Sequence, residues 1–589
     1  MHPLTRFRHL GLLLLALASL GLRAASKEAW VEVRSPHFVA YSDAGEAAAR
    51  RALKGFEGIR TVFQGLFPGI RVDPPKPTII LVVEDEASMK RLLPQGFEGR
   101  DPKRPSGSFS SGQDRNYALL RLDVDQQADQ PYFVLFHEYT HSIVHQNLPA
   151  LPTWLDEGLA DYYGATEIRS DRVYLGRVPT GRLARLRQGA ALPLETLLQV
   201  THASPHYREG EKTGIFYAQS WAFVHYLFMD EKARKAGLFQ AYLKALAEGA
   251  DTLAAARMGF GDLARLQTTL SQYAQRSSFA FLDLPLSVEL TDKDFQSRSL
   301  EAAEALVVRA EFLLHQRQEP LARPLLKAAL ALAPRRPEVQ VALGHSHLLR
   351  GEKDQAQAAF EKSLAMGSRD FRAPYQLARL AQERLGTGGT DSAQILGWLA
   401  TARTLRPDFP GTHMALCRQY AWDPRDPVRA LREGKAAVEL EPQALAYRVN
   451  LGLACISLEL EKEAVAIDEQ LRILAFTEEE RGMAGSYALD LERFRERLRA
   501  RTAEAALRAS RPEHTEGASS TVGPVAPVKF SLPSHLAPLG QEVIQLVSQG
   551  KTQEAIRKLE QALATAKYDY DRKALRALLA TLRRSAQPK

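Results

Sequence analysis

The chain has 589 residues, 45% of them hydrophobic and 25% charged, and a formal net charge of +8. That length implies about three to four globular domains, and a small, scattered positive excess without aromatic-interleaved basic patches excludes nucleic acid as a partner. Two cysteines, Cys417 and Cys455, exclude a disulfide framework and a cysteine-based metal site.

Residues 1–26 read as a signal peptide. Arg6 and Arg8 precede an apolar run of 13 residues, Leu10 to Leu22, and Ala24, Ala25 and Ser26 are small enough for cleavage. The run is short for a spanning helix, so export to a periplasm or beyond the cell is expected, with tethering by an uncleaved leader as the alternative. Residues 27–130 alternate between strand and helix patterns. Trp30–Ser42 reads as strand around Ser35-Pro36, Ala44–Leu66 as helix, Thr78–Glu84 as buried strand and Glu86–Leu93 as short helix. Gly99–Gly112 reads as loop, and Asn116–Val124 as a strand.

The segment FVLFHEYTHSIVHQNLPALPTWLDEGLADYYG, Phe133 to Gly164, carries the chemistry. Four residues are about one helical turn, so His137 and His141 project from one face and can reach one ion. Imidazole suits zinc, and a catalytic zinc takes three protein ligands and leaves a position for water. Glu138, beside the first histidine, can remove a proton from that water, as in the H-E-x-x-H pattern of zinc proteases. Phe133, Val134, Phe136, Ile143 and Val144 make the helix apolar enough to be held rigidly, and Pro131 sits where it would begin.

In the next helix, Thr153 is expected as N-cap with Asp156 as its capping-box partner. That leaves Glu157 to take the metal, while Asp161, four residues on, receives the N–H of a ligating histidine. Gly158 and Ala160 permit close helix approach. His145 extends the series 137, 141, 145, but eight residues of helix rise about 12 Å, too far to share an ion with His137. It is expected on the helix surface or supporting a ligand.

HEYTH followed by WLDEGLADYYG resembles the gluzincin metallopeptidases, most closely the bacterial "peptidase MA-like" family, over roughly Trp30 to Pro285. The resemblance implies a zincin-like α+β catalytic domain, with residues 131–285 as its zinc-site helical part. It implies zinc on His137, His141 and Glu157, Glu138 as base, and Asp161 one turn after the ligand. No G-x-M-E-N motif precedes HEYTH, so exopeptidase action is not implied. Gluzincins also supply a Tyr or His from a later helix to hold the oxyanion, and Thr213–Leu227 resembles that helix. Tyr217 is the first choice there, with an aromatic core face as the alternative reading; His225 and Tyr226 are weaker candidates. Asn116–Val124 is the expected edge strand for substrate addition, or else an interior strand.

The mechanism this implies is hydrolysis of a peptide bond. Zinc polarises the scissile carbonyl and acidifies water, Glu138 shuttles the proton, and Tyr217 supports the oxyanion.

Lys232–Gly249, Thr252–Met258 and Leu263–Gln275 read as closing helices, and Leu286–Ser299 as a boundary. Residues 300–475 then repeat, predicting an all-α tetratricopeptide (TPR) solenoid of four or five units. Gly344, Gly351, Ala356 and Phe360 match repeat positions, as do Ala430, Ala437 and Pro442, and Gly452 and Ala464. Pro334, Pro407 and Pro442 punctuate helix ends, and Gly386–Thr390 stretches one unit. The concave face of such an array binds proteins; the alternative is an inert spacer. Residues 510–540 read as flexible linker and 541–589 as a TPR-like helical hairpin. Two functions stay open: an exported zinc metallopeptidase with repeats that bind a substrate or partner protein, or a noncatalytic repeat adaptor on a relic peptidase fold.

Overall fold

The computed structural model describes residues 29–583 apart from 74, 99–104, 122, 124–131, 149–150, 170, 209, 287–289, 385–390, 422–426, 476–477, 510–536, 550, 566–574, 577 and 580–581. The expected leader, Pro131, the Gly386–Thr390 insertion and the linker as far as 536 lie outside the described residues. The chain divides into two compact units at 502/503.

A six-stranded mixed sheet organises the first unit. Its strands are β1 Val31–Arg34, β2 Val39–Ser42, β3 Thr78–Val83, β4 Gly107–Ser110, β5 Asn116–Arg121 and, far along the chain, β9 Gln296–Ser299, in the order β4-β5-β3-β2-β1-β9. β2, β3 and β5 run parallel. Side chains alternate across the sheet, so one strand feeds two cores. Ile80, Val82, Ala118 and Leu120 face the helix Gly45–Leu66 and the helices that follow. Leu81, Val83, Tyr117 and Leu119 face Phe312, Leu313, Leu326 and Val339 of the first repeats. This double cover explains why β3 reads as an unbroken apolar run.

Three expectations need correction here. The segment read as loop contains β4, which occupies the sheet edge, so that Asn116–Arg121 takes its alternative reading as an interior strand between β4 and β3. The segment read as a boundary contains β9, which pairs with β1 over Gln296–Ser299. Lys232–Gly249 is broken into Glu231–Lys235 and Leu238–Ala247 by Gly237, whose φ of 63° is left-handed backbone that glycine tolerates. A second, three-stranded sheet joins β6 Glu167–Ile168, β7 Arg172–Leu175 and β8 Leu282–Pro285.

From Ala302 to Leu474 the described residues form five helical hairpins, beginning with Ala302–His315 and Glu319–Leu332 and ending with Leu445–Ser457 and Glu461–Leu474. Helices end at Leu332, Leu405 and Leu440, each just before the expected punctuating proline. A Cβ on Gly344 would stand 2.5 Å from the Phe360 ring, and one on Gly452 2.5 Å from Tyr487, so glycine sets these helix crossings. This is a TPR-like solenoid. Cys417 and Cys455 are both free and buried within it. A long helix, Glu478–Ala509, follows the last hairpin, with the Tyr487 hydroxyl donating to the Ala464 carbonyl.

The second unit contains the helices Ala537–Ser548 and Thr552–Thr565 around Val543, Ala555 and Leu559. Its first helix starts inside the stretch expected as linker. Among the described residues, no helix is long and apolar enough to cross a membrane.

Candidate metal centre

The histidine helix runs from Phe133 to Asn147 and buries Leu135, Phe136, Tyr139 and Ile143. Tyr139 donates to the Val72 carbonyl at 2.6 Å, which fixes the helix against the loop before β3. The next helix, Thr153–Gly164, is buried along its whole length. Its glycines set its position on both sides. A Cβ on Gly164 would lie 3.3 Å from His137 Cβ, and one on Gly158 2.6 Å from the Ser220 carbonyl oxygen. Ser220 belongs to the aromatic helix Gly210–Met229, which packs behind. Short side chains therefore bring Glu157 within reach of both histidines.

The three expected ligands converge. His137 Nε2 and His141 Nε2 are 3.1 Å apart, and Glu157 Oε2 lies 3.3 Å from the first and 3.4 Å from the second. Tetrahedral zinc with bonds of about 2.0–2.1 Å separates its ligand atoms by about 3.3 Å, so this triangle fits that ion. Glu157 Oε2 is also buried without a hydrogen-bond partner, as a carboxylate oxygen reserved for a cation would be.

Each histidine is held from behind by an acid. His137 Nδ1 meets Asp161 Oδ1 at 2.8 Å, as expected. Arg182 in turn donates to Asp161 at 2.7 and 3.2 Å, so this fully buried carboxylate is paired twice. His141 Nδ1 lies 3.2 Å from Asp156 Oδ1, whose other oxygen meets His145 Nε2 at 2.9 Å. The capping role expected of Asp156 is therefore corrected. The helix starts after Pro152, which makes Thr153 its first residue, and no side chain caps it. His145 supports Asp156, in line with its expected place outside the ligand set, although His141, His145 and Asp156 also cluster closely enough to hold an ion.

Burial opposes charge throughout this corner, and pairing decides the outcome. Burial pushes the His137 imidazole down, but Asp161 and Glu157 outweigh it and raise its pKa to about 9. The same contest raises His141 and holds Glu157 and Asp156 below the usual carboxylate range. Glu138 has no such partner, and burial raises it. It lines a cavity of about 330 Å3 together with His137, His141 and Tyr217.

Tyr217 is at this site. Its ring centroid is 6.1 Å from that of His137, and the Arg182 guanidinium stacks over it at 4.8 Å. Two residues escaped the sequence reading. Tyr207 donates to Glu157 Oε1 at 2.9 Å, and Arg182 holds Asp161. The signal for Tyr207 was slight: a His-Ala-Ser-Pro-His-Tyr stretch just ahead of the aromatic helix. His225 is instead a core residue. It hydrogen-bonds the Tyr273 hydroxyl and the Gly176 carbonyl, both at 2.8 Å, and burial lowers its pKa to about 4. Tyr226 packs edge-on against Tyr273.

A family model described as "Protein of unknown function (DUF1570)" matches residues 134–248, the span of the histidine helix and the aromatic helix. No curated protein matches. Among solved structures, a thermophilic TPR protein of Thermus thermophilus is 20% identical, with a TM-score of 0.27 over 32% of this chain and 99% of that one. The pilF protein of Pseudomonas aeruginosa is 19% identical, with a TM-score of 0.26 over 32% and 90%. A tetratricopeptide repeat protein of Parabacteroides merdae is 14% identical, with a TM-score of 0.28 over 48% and 98%. The repeat character of this chain rests on the hairpin packing itself.

Proposed function

We propose that this chain is an exported zinc-dependent metallopeptidase whose repeats bind protein. The observation that carries the reading is the triangle of His137, His141 and Glu157, with ligand atoms 3.1–3.4 Å apart and one oxygen left without a hydrogen-bond donor. These residues would hold the ion, which when bound supplies Lewis-acid polarisation of a carbonyl and acidification of water. Asp161 fixes the ring orientation of His137 by accepting its Nδ1 proton, and the Asp156 carboxylate lies 3.2 Å from His141 Nδ1. Glu138 opens on the same cavity, where its carboxylate takes a proton from the attacking water and returns it to the leaving nitrogen. The raised affinity of this buried carboxyl for protons suits that return step. Tyr217, which lines the same cavity, would donate to the developing oxyanion, and Tyr207 holds the second oxygen of Glu157 in place.

A second reading is a noncatalytic adaptor that binds proteins through the solenoid. The five hairpins favour it, because an array of this kind offers an extended concave surface whether or not the metal corner works. One experiment separates the two. Elemental mass spectrometry of purified protein is expected to give one zinc per chain, lost in His137→Ala. Glu138→Gln is expected to keep the zinc and to cut peptide-library cleavage by about 10²–10⁴-fold. Metal-free wild-type protein, or full cleavage by Glu138→Gln, removes the hydrolase and leaves the adaptor.

A further inference from the structure

The cavity at the metal corner is lined by the histidine helix, the Glu157 helix and Tyr207 and Tyr217. Leu440 and Glu441, at the end of the fourth repeat hairpin, line the same space. This part of the array is fastened by polar contacts to the loop before β3. Lys76 meets Glu441 at 2.5 Å, Arg406 donates to the Pro75 carbonyl at 3.0 Å, and Arg71 donates to the Glu439 carbonyl.

The near end is fastened differently. The first two hairpins share an apolar core with the sheet, and Arg115 and Arg372 are buried among Glu311, Asp370 and Asp114. The array is thus fixed at its start by a core and fastened again at its third and fourth hairpins by a polar clasp. A second cavity of about 540 Å3 lies against the first three hairpins, and Ser111 lines both it and the metal cavity. Arg115, His345 and Arg372 are among the residues that line it.

We infer that the repeat array forms part of the wall of the metal cleft, and that the trough alongside it admits extended, unfolded polypeptide and turns folded protein away. The inference rests on the hydrolase reading and names its substrate class. Each cavity falls in the size range of small-ligand sites, about 300–1,000 Å3, which accommodates a single strand and no folded surface.

The test uses one peptide, chosen from the library cleaved by wild-type protein, presented free or inserted in a tight surface loop of a folded carrier domain. Wild-type protein is expected to cleave the free form far faster. Lys76→Glu and Glu441→Lys, each opening the clasp, are expected to shrink that preference about tenfold by raising cleavage of the carrier, and the double reversal to restore it. Arg406→Ala removes a different strut and is expected to act in the same direction. Zinc content is measured on every variant. Cleavage with a preference that no clasp variant alters, or that the double reversal fails to restore, overturns this inference alone. Zinc-loaded wild-type protein that cleaves no peptide overturns the hydrolase reading and this inference with it.

Discussion

The metal corner and the solenoid are both built where helices cross at glycine, yet they bury different things at the crossing. Gly158 meets a backbone carbonyl oxygen, and around it lie polar groups: Asp161 paired with His137 and Arg182, and Asp156 paired with His145 and 3.2 Å from His141. Gly344 meets the Phe360 ring, and around it lie Val341, Ala356 and Leu377. The first arrangement specifies exact partners, because a buried polar group without one costs free energy. The second specifies shape and volume. The corner should therefore fail through lost partners, the array through lost fit.

The contrast can be tested in three steps of decreasing size. Asp161→Ala strands the Arg182 charge and releases His137 at once. It is expected to cost about 3–5 kcal/mol in urea unfolding, and zinc titration should show affinity lower by about 10–100-fold. An unchanged affinity would separate Asp161 from the ligand it contacts.

The same small substitution at the two glycines comes next. Gly158→Ala places a methyl 2.6 Å from the Ser220 oxygen, and Gly344→Ala places one 2.5 Å from Phe360. Both are expected to destabilise by about 1–3 kcal/mol, less any gain in helix propensity, in thermal melts. Zinc affinity is expected to fall only in Gly158→Ala, since that helix carries Glu157. A fall in both would erase the distinction between the regions.

The smallest effect is in pH dependence, and its sign differs between the regions. Behind the metal corner, His225 is held neutral by burial, with a pKa of about 4 against an ordinary 6.5. The unfolded chain binds that proton more readily, so stability falls as pH drops below 6.5. In the array, burial opposes the charge on His413, but Glu433 at 2.8 Å and the Pro407 carbonyl at 2.7 Å raise its pKa above 6.5. That contribution is full below 6.5 and is lost as pH rises through the folded value. Region-resolved hydrogen exchange is expected to show the metal corner loosening in acid and the array loosening in alkali, with His413→Gln abolishing the second trend.

Much of this was legible in the sequence because it is local. Histidines four apart share a helix face whatever surrounds them, and the glycine and phenylalanine of a repeat lie within one hairpin. β3 was legible from its apolar run. β4 and β9, Gly-Ser-Phe-Ser and Gln-Ser-Arg-Ser, were not, since these edge strands join the sheet through backbone pairing and carry little apolar signal. Asp156 was misread because Thr-x-x-Asp matches a capping box, while Pro152 moves the helix start by one residue. Tyr207 meets Glu157 across 50 positions, and Lys76 meets Glu441 across 365. No window along the chain holds such pairs.

The sheet's two-sided cover also decides where this protein can be cut. A fragment ending near residue 285, where the sequence suggests a border, would lack β9 and the first hairpins. It would present the bare edge of β1 and the apolar side chains of Leu81, Val83, Tyr117 and Leu119 to water. An uncapped edge beside an uncovered face invites neighbouring copies to pair. A soluble fragment that keeps the metal corner therefore has to carry the opening hairpins with it, through Ala365, which makes them part of that domain despite their repeat sequence.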